Sequence, residues 1–445
     1  MRTESPVSHI LILFFTALSI LGYATGQTGI PVEDGGEFLT VARLGGVSHP
    51  PGMPLLSLSA GVSWFLFGRE GLRILFAVLA AATLLLLHRR RTVPAALFAA
   101  GALLLPGVSG RLLMWDAYGP LILVFAVAFL RSPPLSLEGG YLTGIAMAVH
   151  PQGILLPILC RWKEPSPLKF LGGFLLGLSL YLALPLGSAA GTIVDWGSTG
   201  GLANFLRQVS AGGYREVYGG SMGSISPDVL GRYLGSLWLI LRPVLIVPAL
   251  LGAISLYRRR GGGTLLLKLS ALLLMDLLFV ALVNPMAAGT TQTATISLLV
   301  VIILSFQGVR LLEKWKRTAG LAAGLAAVAA GVVLWQPLPD QTALVHEYFS
   351  QAPPQAAFFL RNNDLLYGGW VMKYVDDRRP DIVLLSPGNF SGWFEDMAMF
   401  FNPDIDLSKG VLDVGDFSMP REELSILLMN ATIEDNPHRR FFCDF

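Results

Sequence analysis

Residues 34–52 read DGGEFLTVARLGGVSHPPG and directly follow the first long apolar run of the chain. Asp34 and Glu37 are three residues apart, so their carboxylates would share one face of a helical turn. Charged side chains at this density are costly to place at a membrane boundary, where they usually face a cavity or water. We therefore interpret this stretch as a loop that the other apolar segments surround.

The composition indicates a membrane protein with many spans. Of the 445 residues, 53% are hydrophobic and only 14% are charged, whereas soluble domains carry about 25% charged residues. The net charge of +2 gives no indication of nucleic-acid binding. Cys160 and Cys443 are expected on opposite sides of the membrane, so neither a disulfide nor a cysteine-based metal site is predicted.

The apolar segments predict about 11 crossings, because a helical span needs about 20 largely apolar residues. We interpret residues 9–26 as a retained first span with the N-terminus inside, which places residues 34–52 outside. Residues 53–67 are too short to cross and are predicted as a surface-lying or re-entrant helix. The positive-inside rule supports the scheme, because three basic clusters fall on one side: 88–91, 258–260 and 314–317.

The segment 139–159 is interrupted by His150 and Pro151. Proline disfavours helical backbone at the residue before it. Two short helices that meet at His150 on the outer side would fit the inside markers at both flanks. The alternative is one long span, which would reverse the orientation of every later segment.

From Gln336 onward the chain has the polarity of a soluble domain. Residues 356–360 and 382–385 are predicted strands, residues 364–375 form a predicted helix between them, and this spacing suggests a parallel βαβ unit. The prediction is a mainly α polytopic membrane protein in two parts. A transmembrane domain covers 1–335 and includes a first outer loop at 28–53, and a small extracytoplasmic α/β domain covers 336–445.

Four stretches together resemble a family of multispan proteins in the GT-C glycosyltransferase superfamily, whose vertebrate member is the O-mannosyltransferase acting on plexin-type domains. The family pattern Asp-Ser-Gly-Glu, followed by His-Pro-Pro-Gly, is similar to residues 34–37 and 49–52, with Gly35 in place of the serine. The other matches are His150 and its neighbours, the outer loop from Asp195 to Tyr214, and residues 362–394. The matches keep their order, although the acidic run of the last stretch is reduced to Asp364.

This resemblance implies a GT-C fold and inverting transfer of a sugar from a polyprenyl-phosphate donor to an acceptor hydroxyl at the outer face. The acceptor is expected to be a protein or a glycan, and mannose is the vertebrate relative's sugar. Asp34 is the predicted general base, because a nearby carboxylate can take the hydroxyl proton. Burial and the like-charged Glu37 would raise the pKa of Asp34, and Glu37 would orient Asp34 or the acceptor.

The leaving phosphate needs positive charge or hydrogen-bond donors. The predicted substrate-binding residues lie on outer segments or in the matched stretches: Arg43, His49, Arg111, Asp116, His150, Arg207, Tyr214, Arg215, Asn363 and Asp364. Two carboxylates could hold Mg²⁺, but the related prenyl-phosphate mannosyltransferases are similar in needing no metal. We therefore predict neither a metal nor a cofactor.

Simpler interpretations exist for several of these residues. Asp34, and either Asn363 or Asp364, could cap helices, since N-caps favour such side chains. Arg111, with Trp115 and Asp116, could belong to an interfacial belt. A single charge within an apolar segment, Asp276, is expected to face the bundle interior with a partner.

A transporter or flippase is the alternative function, and an assembly or receptor protein is a third. Transporters tend to have paired halves with broken helices, whereas the sequence shows one break, at His150. The predicted location is a bacterial inner (plasma) membrane, with the N-terminus cytoplasmic and the C-terminal domain extracytoplasmic. The expected partners are the carrier-linked sugar donor, the acceptor and membrane lipids, without nucleic acid.

Overall fold

A computed structural model describes ten stretches of the chain: residues 29–87, 92–192, 194–212, 227–240, 242–283, 294–360, 362–386, 429–430, 432–434 and 436–443. The predicted first span, the basic cluster at 88–91, Tyr214 and Arg215 lie outside these residues. The described residues are mainly helical, which agrees with the predicted fold class.

In chain order, the described residues up to 159 form α1 (Gly35–Leu44), β1 (Gly46–Val47), α2 (Pro54–Phe67), α3 (Arg69–Leu87), α4 (Val93–Leu104), α5 (Pro106–Leu112), α6 (Tyr118–Arg131), α7 (Leu137–Val149) and a 3-10 segment (Pro151–Leu159). The next elements are α8 (Pro167–Leu178), a 3-10 turn (Ser179–Leu182), α9 (Ala183–Ala189), β2 (Val194–Asp195), α10 (Leu202–Val209), α11 (Pro227–Ile240), α12 (Pro243–Arg258), α13 (Gly262–Leu282), α14 (Thr295–Trp315) and α15 (Arg317–Leu334). The last elements are α16 (Thr342–Ser350), β3 (Ala357–Phe359), α17 (Asn363–Trp370), a π-helical turn (Val371–Val375), β4 (Val383–Leu385) and β5 (Phe441–Cys443).

The chain divides into two compact units. The helical unit comprises Met1–Gln27, Arg73–Leu178 and Ser221–Leu338, and the mixed unit comprises Thr28–Leu72, Ser179–Gly220 and Pro339–Phe445. The helical unit ends close to the boundary predicted at 335. The mixed unit differs from the predicted C-terminal domain, because the first predicted outer loop and residues 179–220 join residues 339–445 in it. Long-range hydrogen bonds, which a linear pattern does not show, make these connections.

Five helical segments of the described residues are long and apolar enough to cross a membrane: α3, the run from α8 through α9, α13, α14 and α15. The number rises to seven if each of two bent pairs, α4 with α5 and α11 with α12, is one span. These segments are compatible with a polytopic membrane protein. They do not confirm the 11 predicted crossings, whose number and orientation stay predictions.

Helices α7 and α8 pack through glycines spaced four residues apart. A Cβ atom at Gly140 or Gly144 would lie 2.0 or 2.4 Å from a backbone oxygen of α8. A Cβ at Gly173 or Gly177 would come within 2.1 or 2.6 Å of α7 in the same way. Small residues at this spacing let helix backbones approach closely, a packing mode common in membranes.

The predicted break at His150 is confirmed. Helix α7 ends at Val149, His150 is extended, and the following 3-10 segment packs back on α7. Pro157 lies inside that second segment and lacks a backbone N–H, which disfavours a regular α-helix there. Two short segments therefore replace one long span, and their placement on the outer side stays a prediction.

The described residues of the mixed unit form two small parallel sheets. Strands β1 and β2 pair with Gly46 opposite Val194 and Val47 opposite Asp195. The second sheet has the order β4-β3-β5, and all its pairs are parallel. The predicted βαβ unit of β3, α17 and β4 is confirmed, whereas β5, a short strand near the C-terminus, was not predicted.

Candidate active site around Asp34, Glu37 and His49

Asp34 and Glu37 are placed by the first turn of α1. Asp34 stands at the N-cap position, as the simpler interpretation expected, but its side chain makes no capping hydrogen bond. A Cβ at Gly36 would lie 3.0 Å from backbone atoms of Tyr367. Gly36 lies between the two acids and has no side chain, and it therefore lets the start of α1 pack against α17.

A tight loop after β1 carries His49. The His49 carbonyl accepts a hydrogen bond from the Gly52 N–H at 2.7 Å, and the Ser48 hydroxyl donates to the Gly52 carbonyl at 2.7 Å. The Pro50–Pro51 peptide bond within the loop is cis. The Gln208 side chain, from α10, donates to the Ser48 carbonyl at 2.9 Å. These contacts fix the backbone on both sides of His49.

Glu37 holds His49 at two points. One carboxylate oxygen of Glu37 accepts the His49 backbone N–H at 2.7 Å, and the other is hydrogen-bonded to the ring Nδ1. Glu37 therefore contacts both the backbone and the ring of His49. The predicted role of Glu37 is therefore refined, because the side chain that it orients is His49.

The second ring nitrogen of His49 faces Asp34. Nε2 lies 3.8 Å from Asp34 Oδ2, and the Asp34 side chain is 20% exposed, whereas that of Glu37 is fully buried. The rings of Phe38 and Trp196 flank the imidazole at centroid distances of 5.9 and 6.3 Å. Asp34 is thus the member of the trio that solvent or a substrate can reach.

Asp34, Glu37 and His49 are also the described residues that could together hold a metal ion. One ligand atom from each lies within 4.8 Å of the others. Carboxylate oxygens and imidazole nitrogens are common metal ligands. The cluster can therefore accept a proton or bind a cation.

Asp364 supports the residue that precedes Asp34. Its carboxylate accepts the Glu33 backbone N–H at 2.6 Å. The cap of α17 is Asn362, whose side chain accepts the Asp364 N–H at 2.8 Å. The predicted cap at Asn363 or Asp364 is therefore wrong by one or two residues, and the carboxylate of Asp364 stabilises the loop that enters α1 instead.

The structure does not bring Arg43 to the cluster. It stands nine residues after Asp34, about 13 Å along a helix axis. Its guanidinium donates to the Val375 carbonyl and pairs with Asp377 at 2.9 Å. Arg69, which the sequence interpretation did not single out, pairs with Asp376 at 2.6 Å. Both arginines therefore fix the turn after α17.

Arg111, Asp116 and His150 belong to the helical unit, and all three are buried. Arg111 donates to the Gly107 carbonyl at 2.9 Å, and the ring of His150 packs 4.9 Å from that of Tyr118. Trp115 is also buried. The interpretation as an interfacial belt is therefore wrong, because belt side chains face the lipid headgroups.

The helical unit has its own buried acid, Asp276, on α13. Its Oδ2 accepts the Ser297 N–H at 2.9 Å, the Ser297 hydroxyl at 2.7 Å and the Tyr233 hydroxyl at 3.3 Å. Its Oδ1 accepts the Gln152 side-chain amide at 3.1 Å. The prediction that Asp276 faces the interior with a partner is confirmed.

On α10, the predicted residue Arg207 is half-buried, and its neighbour Gln208 is the residue that contacts the site loop. Sequence reasoning missed Gln208. The sequence shows Gln208 as a polar side chain in a strongly amphipathic segment, but this pattern does not reveal that its partner is the Ser48 carbonyl.

Comparisons of the chain with models of protein families, with curated proteins and with solved structures find no match. The class that the fold supports is a mainly α-helical chain with several possible membrane spans. The resemblance to GT-C enzymes stays a prediction, and the function is argued from the geometry of the site.

Proposed function

We propose that this protein is a membrane glycosyltransferase of the GT-C type, which transfers a sugar from a polyprenyl-phosphate donor to an acceptor hydroxyl. The observation that supports this proposal is the cluster of Asp34, Glu37 and His49. It joins a partly exposed carboxylate to a buried carboxylate–imidazole pair. Such a set can remove a proton from a hydroxyl and hold the hydroxyl in place.

In the proposed reaction, an Asp34 carboxylate oxygen takes the proton of the acceptor hydroxyl. The hydroxyl oxygen forms a bond to the anomeric carbon from the side opposite the phosphate. The bond from that carbon to the phosphate oxygen breaks, and its electron pair leaves with the prenyl phosphate. The configuration at the anomeric carbon is therefore inverted. Glu37 fixes the imidazole of His49, which orients the acceptor beside Asp34.

The helix after the site loop offers a surface for the lipid part of such a donor. Helix α2 begins at Pro54, directly after the loop that carries His49. Its exposed side chains are apolar, and Phe65 is 87% exposed. The outward face of α2 includes Leu58, Val62, Phe65, Leu66 and Phe67. An acyl or prenyl chain is the chemistry that this surface fits.

We further propose that the site faces the extracytoplasmic side of a bacterial inner membrane, with a cytoplasmic N-terminus. The distribution of basic clusters in the sequence supports this orientation. Cysteine labelling of intact cells tests it. A cysteine introduced at Asp377, which is 75% exposed in the mixed unit, should react with an impermeant maleimide before lysis. Labelling only after lysis would refute the orientation.

The transfer activity can be tested with the full chain in proteoliposomes. The donors are radiolabelled sugars linked to polyprenyl phosphate, with mannose first, and the acceptors are periplasmic protein and glycan fractions. Asp34→Asn should lower the transfer rate about 10²–10⁴-fold. The matched control is Asp377→Asn, which removes an exposed carboxylate elsewhere in the mixed unit and should leave transfer unchanged. Equal transfer by Asp34→Asn and the parent would refute the assignment.

A transporter or flippase is the second candidate, because the helical unit has more broken helices than the sequence indicated. Helices α4 and α5 meet at an angle of 82° across one residue, in addition to the break at His150. Broken helices are typical of transporters. Movement of the lipid-linked sugar across vesicles without a covalent product would favour this candidate over the transferase.

A further inference from the structure

We propose that Asp34 and His49 bind a divalent transition-metal ion, with Glu37 as the carboxylate that orients the histidine. The claim about binding goes beyond the proposed function, does not depend on it, and departs from the expectation from the sequence that no metal is bound. The ligand atoms are Asp34 Oδ2 and His49 Nε2, and both belong to the mixed unit.

The contact between Glu37 and His49 is the first support for this site. Glu37 is hydrogen-bonded to Nδ1 of the ring, and the other ring nitrogen, Nε2, faces Asp34. Metal-binding histidines almost always donate their other ring N–H to a carboxylate, a backbone carbonyl or water, which fixes the tautomer and the ring orientation. Glu37 additionally binds the His49 backbone N–H, so both the ring and its backbone are held in this orientation.

The distance between the two ligand atoms is the second support. Metal–ligand bonds to imidazole nitrogen and carboxylate oxygen are about 2.0–2.2 Å long. Two ligand atoms 3.8 Å apart can therefore share one ion, with an angle at the metal of about 120–145° for these bond lengths. No rearrangement of the hydrogen bonds between Glu37 and His49 is needed.

The ligand set indicates the class of ion. Imidazole favours zinc, iron, copper and nickel, whereas carboxylates and water suit manganese, magnesium and calcium. One ligand of each kind fits Mn²⁺, Co²⁺ or Zn²⁺ better than Ca²⁺, which takes oxygen ligands. Two protein ligands leave open coordination positions, as is usual for catalytic rather than structural ions.

The ion would also supply positive charge to the site. Transfer from a lipid phosphate builds negative charge on the leaving oxygen, which a cation stabilises. Arg43, the arginine of α1, is paired with Asp377 instead. A metal ion on Asp34 Oδ2 and His49 Nε2 would contact a phosphate oxygen, while Asp34 Oδ1 stays available as the general base of the proposed reaction. This role, unlike the binding itself, rests on the proposed function.

The test measures metal binding directly, without donor or acceptor. The full chain is purified in detergent, treated with a chelator and titrated with Mn²⁺, and free Mn²⁺ is followed by electron paramagnetic resonance. One saturable site per chain is expected. Co²⁺ provides a second measurement, because its visible absorption should show a nitrogen ligand that is lost in His49→Gln.

The variants separate the ligands from the supporting carboxylate. Asp34→Asn and His49→Gln should each remove saturable binding, whereas Glu37→Gln should weaken it about 10- to 100-fold. Asp377→Asn is the matched control and should bind like the parent. Gel filtration and thermal unfolding are measured for every variant, and Asp34→Asn is the decisive one because Asp34 is partly exposed and its loss should not prevent folding.

The results that would overturn the proposal are specific. Absence of saturable binding by the folded parent, or equal binding by the parent and Asp34→Asn, would show that the cluster is only hydrogen-bonded. Loss of binding in Glu37→Gln as complete as in Asp34→Asn would overturn the assignment of Glu37 as a supporting residue. Metal binding without sugar transfer would retain this site and refute the proposed function, so the two failures are distinguishable.

Discussion

The two units of the protein each bury acidic side chains, but they surround them differently. In the helical unit, the Asp276 carboxylate accepts four hydrogen bonds, from Ser297, Tyr233 and Gln152. In the mixed unit, Glu37 is equally buried, and its hydrogen bonds both come from His49. Asp34 then lies 3.8 Å from the far side of the same ring.

Under the proposed function, this difference separates a structural acid from a functional one. A buried charge is tolerated when donors surround it, and such a set contributes chiefly to stability. Acids gathered around one imidazole are poised for proton or cation chemistry, because the ring can carry a proton or coordinate an ion. Mutation of Asp276 should therefore change mainly the free energy of unfolding, whereas mutation of Asp34 or Glu37 should change mainly the transfer rate.

The largest expected effect is on the activity of the mixed unit. Asp34→Asn should reduce transfer about 10²–10⁴-fold, the usual contribution of a general base. Its free energy of unfolding should change by no more than about 0.5 kcal/mol, as for partly exposed substitutions. Radiolabel transfer and thermal unfolding of the same preparation measure the two quantities. A variant that loses activity only in proportion to unfolded protein would contradict the comparison.

The reverse pattern is expected for Asp276→Ala. Removal of the carboxylate leaves the Ser297, Tyr233 and Gln152 donors without this acceptor, and a buried unsatisfied group costs about 1–3 kcal/mol. The unfolding free energy should therefore fall by about 3 kcal/mol, while the specific activity of the folded fraction is retained. Leu274→Ala, an exposed position on the same helix, is the control and should change stability much less.

An intermediate effect is expected for Glu37→Gln. A glutamine amide facing Nδ1 would donate to it, so the imidazole proton would move to Nε2. Transfer should fall about 10- to 100-fold, the range for loss of a hydrogen bond to a charged group. Nitrogen NMR of labelled histidine should show the change of tautomer. Unchanged transfer together with an unchanged tautomer would contradict the positioning role of Glu37.

The smallest effect concerns a partly exposed acid of the mixed unit, Asp381. The hydrogen bond from the Arg379 guanidinium lowers the pKa of Asp381 from its ordinary value of 3.8 to about 2. Its stabilising contribution is therefore present above pH about 4 and is lost as the pH falls toward about 2. Because the Arg379 and Asp381 side chains are both partly exposed, this contribution should stay below about 1 kcal/mol. Thermal unfolding of Asp381→Asn at pH 6 and pH 3 measures it.

Local patterns were enough to predict some of the fold. The apolar strands β3 and β4 and the helix between them were found from period and spacing, because side-chain alternation and length are local properties. The break at His150 followed from the proline after it. Strand β5 was missed because three residues carry too little pattern. The close packing of α7 on α8 was also missed, although its glycine pairs, at 140–144 and 173–177, are a local signal.

The candidate site was predicted in its residues but not in its arrangement. The sequence placed Asp34 and Glu37 on one helical face and selected His49 by motif. It did not show that Glu37 would bind His49, 12 residues later, instead of orienting Asp34. It also offered Arg43 as a phosphate ligand, whereas Asp377 pairs with it from 334 residues away.

The sequence by itself determined that the chain is rich in apolar helices, where one of them breaks, and which loop concentrates acids beside a histidine. These properties depend on composition and on neighbours within a few residues. Only the tertiary structure decided which donor each buried acid meets, as when Asp364 binds the backbone of Glu33 across 331 residues. The physical reason is that hydrogen bonds and close packing form between atoms near in space, and chain folding brings distant segments together.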